Sequence, residues 1–180
     1  MTELDRGIVV GTESTLYQVV LILHILVAIV GIGTVMLNGL YGAESKKRPG
    51  PGGLAIAQAN YRVSMVAENF IYAILVLGII LVWLSDGQWA FSQTWVWLSI
   101  VAFVVSLGVS HGVLLPRVRQ MNALVEELAA GGPPPAGAPA GPPPQVAMME
   151  ALGKQVGAAS GVLHLMTVVL LYLMVFKPGA

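Results

Sequence analysis

The sequence predicts an all-α protein, a four-transmembrane-helix bundle with the N-terminus and C-terminus outside. Composition, charge-free runs and the placement of basic residues predict it. Of 180 residues, 56% are hydrophobic and only 10% are charged, with a mean hydropathy of +0.79. Soluble domains carry about 25% charged residues, so this chain has too little charge to coat a water-facing surface. Its apolar content equally excludes a disordered chain. The absence of cysteine removes disulfide scaffolds, thiolate metal sites and cysteine nucleophiles. Nine basic and nine acidic residues cancel, leaving no global field to attract nucleic acid.

Four runs lack any formal charge: thirty residues between Glu13 and Glu44, seventeen from Asn69 to Ser85, thirty from Gly87 to Pro116 and twenty-two from Gln155 to Phe176. At 1.5 Å rise per residue, about 20 apolar residues cross a hydrocarbon core of about 30 Å. The spans are placed near 16–40, 62–84, 94–115 and 156–176 of a single membrane domain. Glu3 and Asp5 outnumber Arg6 before the first span, which argues against a cleaved signal peptide.

Orientation follows from lysine and arginine. The first loop holds Lys46, Lys47, Arg48 and Arg62, and the third holds Arg117, Arg119 and Lys154. Arg6 and Lys177 alone fall at the other end, so seven basic residues against two place these loops in the cytoplasm. Trp83, Trp89, Trp95 and Trp97 gather around the short second loop, as an interfacial belt does. After the third span, Val118, Met121, Leu124, Val125 and Leu128 recur at helical spacing, predicting a cytoplasmic amphipathic extension over 117–130, beyond a kink at Pro116. Residues 131–144, GGPPPAGAPAGPPP, read as a flexible linker. The basic KKRPGPGG turn of the first loop orients the chain and has the charge to touch anionic headgroups.

Ionisable groups inside a span are costly and become the functional candidates. They are His24, Glu68, His111 and His164. From helix rise, His24 lies about 8–12 Å below the outer surface, His111 about 6 Å and His164 about 10 Å from the cytoplasmic side, and Glu68 about 9 Å past Arg62. Asn38 and Asn69 fall at the depth of the cytoplasmic-side group, whereas His24 stands apart. Small-residue steps surround two of the histidines, Gly108 and Gly112 about His111, and Gly153, Gly157 and Gly161 before His164, predicting close packing of the third and fourth helices.

Three readings follow. His111 and His164 could ligate haem iron, or copper or zinc with Glu68. Glu68 and the two histidines could instead relay protons in a small oligomeric transporter or proton-linked permease. Or each histidine simply bonds a neighbouring carbonyl while Glu68 pairs with Arg62, six residues away and outside the i, i+4 spacing. No complete catalytic constellation is present, so the chain leans away from an enzyme and has no assigned catalytic residue.

LILHILVAIVGIG in the first span, WVWLSIVAFVVSLGVSHGVLLPR in the third and LYLMVFKPG at the end resemble the bacterial family of predicted integral membrane proteins catalogued as domain of unknown function 2269. The resemblance spans most of the chain apart from the Pro/Gly linker. It implies a four-helix protein of the bacterial cytoplasmic membrane, without an assigned activity. More distantly, the first-helix LHI is similar to copper-resistance-D-like proteins and a haem-binding protoporphyrinogen oxidase group, which implies haem b or copper at His24. The expected function is a non-enzymatic accessory or structural membrane component. Its expected partners are the lipid bilayer and a second copy or another membrane subunit, and not nucleic acid.

Overall fold

The computed structural model describes residues 10–48, 50–130 and 144–180. The described residues form helices and connecting turns, with no strand. Four helical stretches are long and apolar enough to cross a membrane, so this is a multi-pass membrane protein built as an all-α bundle. The expected linker lies, apart from Pro144, outside the described residues.

Helix α1 spans Thr15–Met36, and the Ser14 hydroxyl caps it by accepting from the Tyr17 amide at 3.2 Å. The expected single span to residue 40 is interrupted. Leu37 takes φ −87°, ψ −4°, and α2 (Asn38–Lys46) follows. Two bonds accompany the break. The Thr34 hydroxyl donates back to the Val30 carbonyl at 2.6 Å, and Ser64 donates to Asn38 Oδ1 at 3.2 Å.

Helix α3 (Pro51–Leu84) starts eleven residues before the expected boundary. Gly50 enters at φ +75°, and Pro51, at the first helical position, has no amide left to satisfy. The turn before it folds back tightly. A side chain at Gly53 would collide with the Arg48 and Ser45 carbonyls, and Ser45 donates to the Gly53 carbonyl at 2.8 Å.

Helix α4 (Thr94–Val109) runs into a π-helical turn, Ser110–Leu114, and then into α5 (Leu115–Ala130). Pro116 explains the turn. It offers no amide to the Gly112 carbonyl, and its ring crowds that carbonyl. Widening the helix accommodates this, and the Leu115 amide donates to the Ser110 carbonyl five residues back. The effect of Pro116 is therefore a local change of helix type just before it. Helix α6 (Pro144–Phe176) begins twelve residues before the expected boundary.

The helices form two antiparallel hairpins. α1 and α2 pack on α3, while α4 and α5 pack on α6. α3 and α5 touch at the basic end. The other end is closed by a buried cluster of Trp95, Val96 and Leu173, with Val82, Trp89, Leu98 and Ile100 against it. Ala67, Ile74, Leu81, Phe103, Leu152 and Ala159 are also buried, but many apolar side chains point outward, as on α1, where Ile22 and Ile29 are both 65% exposed. In water such a surface would be an aggregation face, whereas in a bilayer it is the hydrocarbon contact.

The four tryptophans divide. Trp83 is 70% exposed and Trp97 also points outward, as belt residues do. Trp89 and Trp95 turn inward instead. Their rings meet edge to face at 5.5 Å, and the Lys177 ammonium lies 4.1 Å from the Trp89 centroid. Trp89 Nε1 donates to the Tyr17 hydroxyl at 3.1 Å, joining the second loop to α1.

Glycine also acts where backbones meet. Added Cβ atoms at Gly31 and Gly78 would come within 3.1 Å of Ile71 and 3.3 Å of His24 Cε1 respectively, so both are close approaches between α1 and α3. Gly108, Gly112, Gly157 and Gly161 have no such neighbour within 4 Å, and Gly153 has only the Lys46 ammonium at 3.4 Å. Within this chain, the close helix contacts that glycine permits therefore fall on the first hairpin.

Candidate functional site

The second loop, residues 10–14 and the C-terminal residues share one end of the bundle. The Gly11 amide donates to the Leu84 carbonyl at 2.8 Å, and Gly179 packs on Thr94. Depth can be counted from that end. His111 is seventeen residues along from Thr94, about 26 Å, and Glu68 is sixteen residues from Leu84, about 24 Å. Both therefore lie within a core of about 30 Å, near its far boundary. His164 lies about 18 Å from the Phe176 end of α6, and His24 about 14 Å from the start of α1.

Glu68 and His111 meet across the two hairpins. His111 Nε2 bonds Glu68 Oε1, and the Tyr72 hydroxyl lies 2.8 Å from the same nitrogen. Tyr72 also donates to Glu68 Oε1. Glu68 and Tyr72 stand one turn apart on α3, which brings their side chains onto one face. His111 enters from the π-helical turn, a helix type frequent at functional positions. The Glu68 side chain is 17% exposed and that of His111 is 42% exposed.

The protons can be placed. His111 Nδ1 lies 2.9 Å from the Leu107 carbonyl, which can only accept. Nδ1 therefore carries a proton, and Nε2 is the nitrogen that faces Glu68. A hydrogen bond between Nε2 and Glu68 then needs one proton, carried by Nε2 or by the carboxyl group. Removing that proton leaves a lone pair facing a carboxylate, and Tyr72 has only one hydrogen to offer between them.

The candidates do not all converge. Glu68 and His111 come together, and the expected third member, His164, has no hydrogen bond to them. Glu68 pairs with His111 and Tyr72 rather than with Arg62. Asn69 only turns back to the Val66 carbonyl at 3.5 Å. His24 lies against Gly78, and its Nδ1 is buried without a hydrogen-bond partner. Tyr72 was missed in the sequence, although its spacing of four from Glu68 was the signal. The π-helical turn had a similar cue, Gly112 four residues before Pro116.

The described residues do not fit the haem or metal centre that the sequence suggests around His111. Both nitrogens of His111 are engaged by Leu107, Glu68 and Tyr72, so none is free to ligate. No group of three His, Asp or Glu among the described residues could hold a metal ion. The groove between α4 and α6, about 290 Å³, is lined by Leu98, Val101, Ala102, Val105, Met166, Val169 and Leu173, none of them a ligand. A second hollow of about 390 Å³ lies at the tryptophan end between Gly11–Ser14 and Ser85–Gln88, far from Glu68, and Thr12 donates to Gln88 across it. Comparison with family models, curated proteins and solved structures gives no match.

Proposed function

We propose that this chain is a non-enzymatic, multi-pass component of the bacterial cytoplasmic membrane that binds a proton between its two helical hairpins. In this reading both termini lie on the outer face and the basic loops in the cytoplasm, as the lysine and arginine bias supports. The bacterial membrane follows from the resemblance to the predicted integral membrane protein family. A second copy or another membrane subunit is the partner, and no cofactor is involved.

One observation carries the proposal. His111 is fixed by the Leu107 carbonyl so that its other nitrogen meets Glu68 from the opposite hairpin. A group that gains or loses a proton thus lies on the joint between the two halves. Binding or losing it changes what holds the halves together, which is how a small membrane component without catalytic groups responds to its surroundings.

Infrared difference spectroscopy of the chain in lipid, stepped through pH, tests this. Wild type is expected to show paired carboxyl and imidazole bands that E68Q and H111Q both abolish. Identical difference spectra in wild type and both variants would sink the reading. The burial of Glu68 in a span also supports a second function, an oligomeric proton-linked permease. For that, proteoliposome flux must be present and must fall in E68Q.

A further inference from the structure

The Glu68, His111 and Tyr72 group spends its hydrogens on internal bonds. His111 Nδ1–H goes to the Leu107 carbonyl, the Tyr72 hydroxyl donates to Glu68 Oε1, and one proton joins Nε2 to the same carboxyl group. The acceptors are not all used. Both bonds to Glu68 end on Oε1, and no donor reaches Oε2 among the described residues. Nor is Oε2 sealed in. Among those residues His24 Nδ1 alone is a buried side-chain atom without a partner, so Oε2 is accessible.

One side of the group is open. Tyr72 is 41% exposed and the His111 side chain 42%. Gly108, one turn before His111, has nothing within 4 Å of the position a Cβ would take. From this opening the surface continues apolar towards mid-membrane. Val76, one turn past Tyr72 on α3, is 56% exposed, and Val104, two turns before His111 on α4, is 53% exposed. They lie about 12 and 15 Å from the tryptophan end, roughly 10 Å nearer mid-membrane than Glu68 and His111.

Three properties select a ligand. In hydrocarbon no water is at hand to satisfy an open carboxyl oxygen, so its partner arrives within the membrane. On its open side the group offers a lone pair and no hydrogen, so it takes a donor and has nothing for an ether or carbonyl oxygen. Glu68 lies about 24 Å from the tryptophan end, about 6 Å inside the far boundary of a core of about 30 Å, where a charged ligand is costly. An O–H group on an apolar body meets all three.

We infer, building on the proton-binding reading of the same group, that its open side binds an uncharged, lipid-soluble phenol or alcohol. The ligand O–H donates to Glu68 Oε2, and its apolar body lies along Val76 and Val104. Native mass spectrometry of the purified full chain in neutral detergent tests this, with decylphenol, its methyl ether and dioctanoylglycerol as probes. Wild type is expected to retain one or both hydroxyl probes about tenfold more tightly than the methyl ether, as a hydrogen bond to a carboxylate implies. Retention of the phenol alone assigns the site to membrane phenols, and retention of the diglyceride alone to lipid alcohols. E68L removes the acceptor and is expected to hold the hydroxyl probes no better than the ether. Should E68L fail to fold, the wild-type comparison decides alone. Equal retention of hydroxyl probes and ether, no retention of any probe, or an E68L that still prefers the hydroxyl probes would each overturn the site. So would a wild type that self-associates in detergent and loses that association in E68L, because Oε2 would then belong to a second copy. The infrared bands separate the two claims. Bands abolished by E68Q and H111Q, with no probe retained, sink the ligand and leave the proton site standing, whereas identical spectra in all three proteins sink both.

Discussion

The two hairpins are joined at both ends of the bundle by opposite kinds of chemistry. At the tryptophan end the joint is apolar and packed. Val82 of α3 and Trp89 of the second loop pack against buried Trp95, Val96 and Leu173 of the second hairpin, Trp89 also bonds Tyr17 of α1, and Lys177 lies over the indole faces. At the other end the hydrogen-bonded joint is Glu68, His111 and Tyr72, polar and partly open. The first joint depends on shape, and the second on hydrogen bonds between polar groups. Under the proposed function, a proton bound at the second joint changes how the halves meet at that end only.

Three substitutions would break or sharpen that contrast. The largest effect is expected from W95A, which empties the packed joint and should lower unfolding stability by about 3 kcal/mol or more. Denaturation in mixed micelles measures it, and the loss should be the same at every pH. H111L comes next. Removing one partner of an intramembrane hydrogen bond costs about 1–2 kcal/mol. A double-mutant cycle with E68Q should show that the two changes are not additive, and additivity would mean the pair is not a joint. The smallest effect is expected from K177Q, about 0.5–1 kcal/mol for an exposed cation–π contact, read as a small drop in the same denaturation midpoint.

Much of the architecture was legible in the sequence because a bilayer imposes a simple rule. Charge-free runs of sufficient length must be helices, and four were present. The same rule is silent once a helix leaves the hydrocarbon, which is why α3 and α6 begin well before residues 62 and 156. It is equally silent at Leu37, where Asn38-Gly39 is the only local mark of the break, and the bonds of Thr34 and Ser64 lie off the main pattern. Of the site, depth alone brought Glu68 and His111 to one level. It could not tell that His164 forms no bond with them, because depth carries no information about rotation around the helix axis. The glycine steps misdirected for the same reason. Spacing of four shows that a face is smooth, whereas what lies against it depends on the other helices, and Gly31 and Gly78, outside any such step, are the positions that admit a neighbour. Composition likewise grouped four tryptophans whose roles divide between lipid and core.

The π-helical turn Ser110–Leu114 acts on more than His111. Each such turn holds one residue more than an α-helical path would need, and one residue is about 100° of rotation. Everything after it is dialled round by that angle relative to α4. Arg117 and Arg119 owe their headings to this offset, the first towards Gln155 of α6 and the second, at 3.0 Å, towards Tyr61 of α3. The extra residue therefore works as a phase shift in the helix. It lets one continuous rod present a histidine to one neighbour inside the membrane and two arginines to different neighbours just outside it.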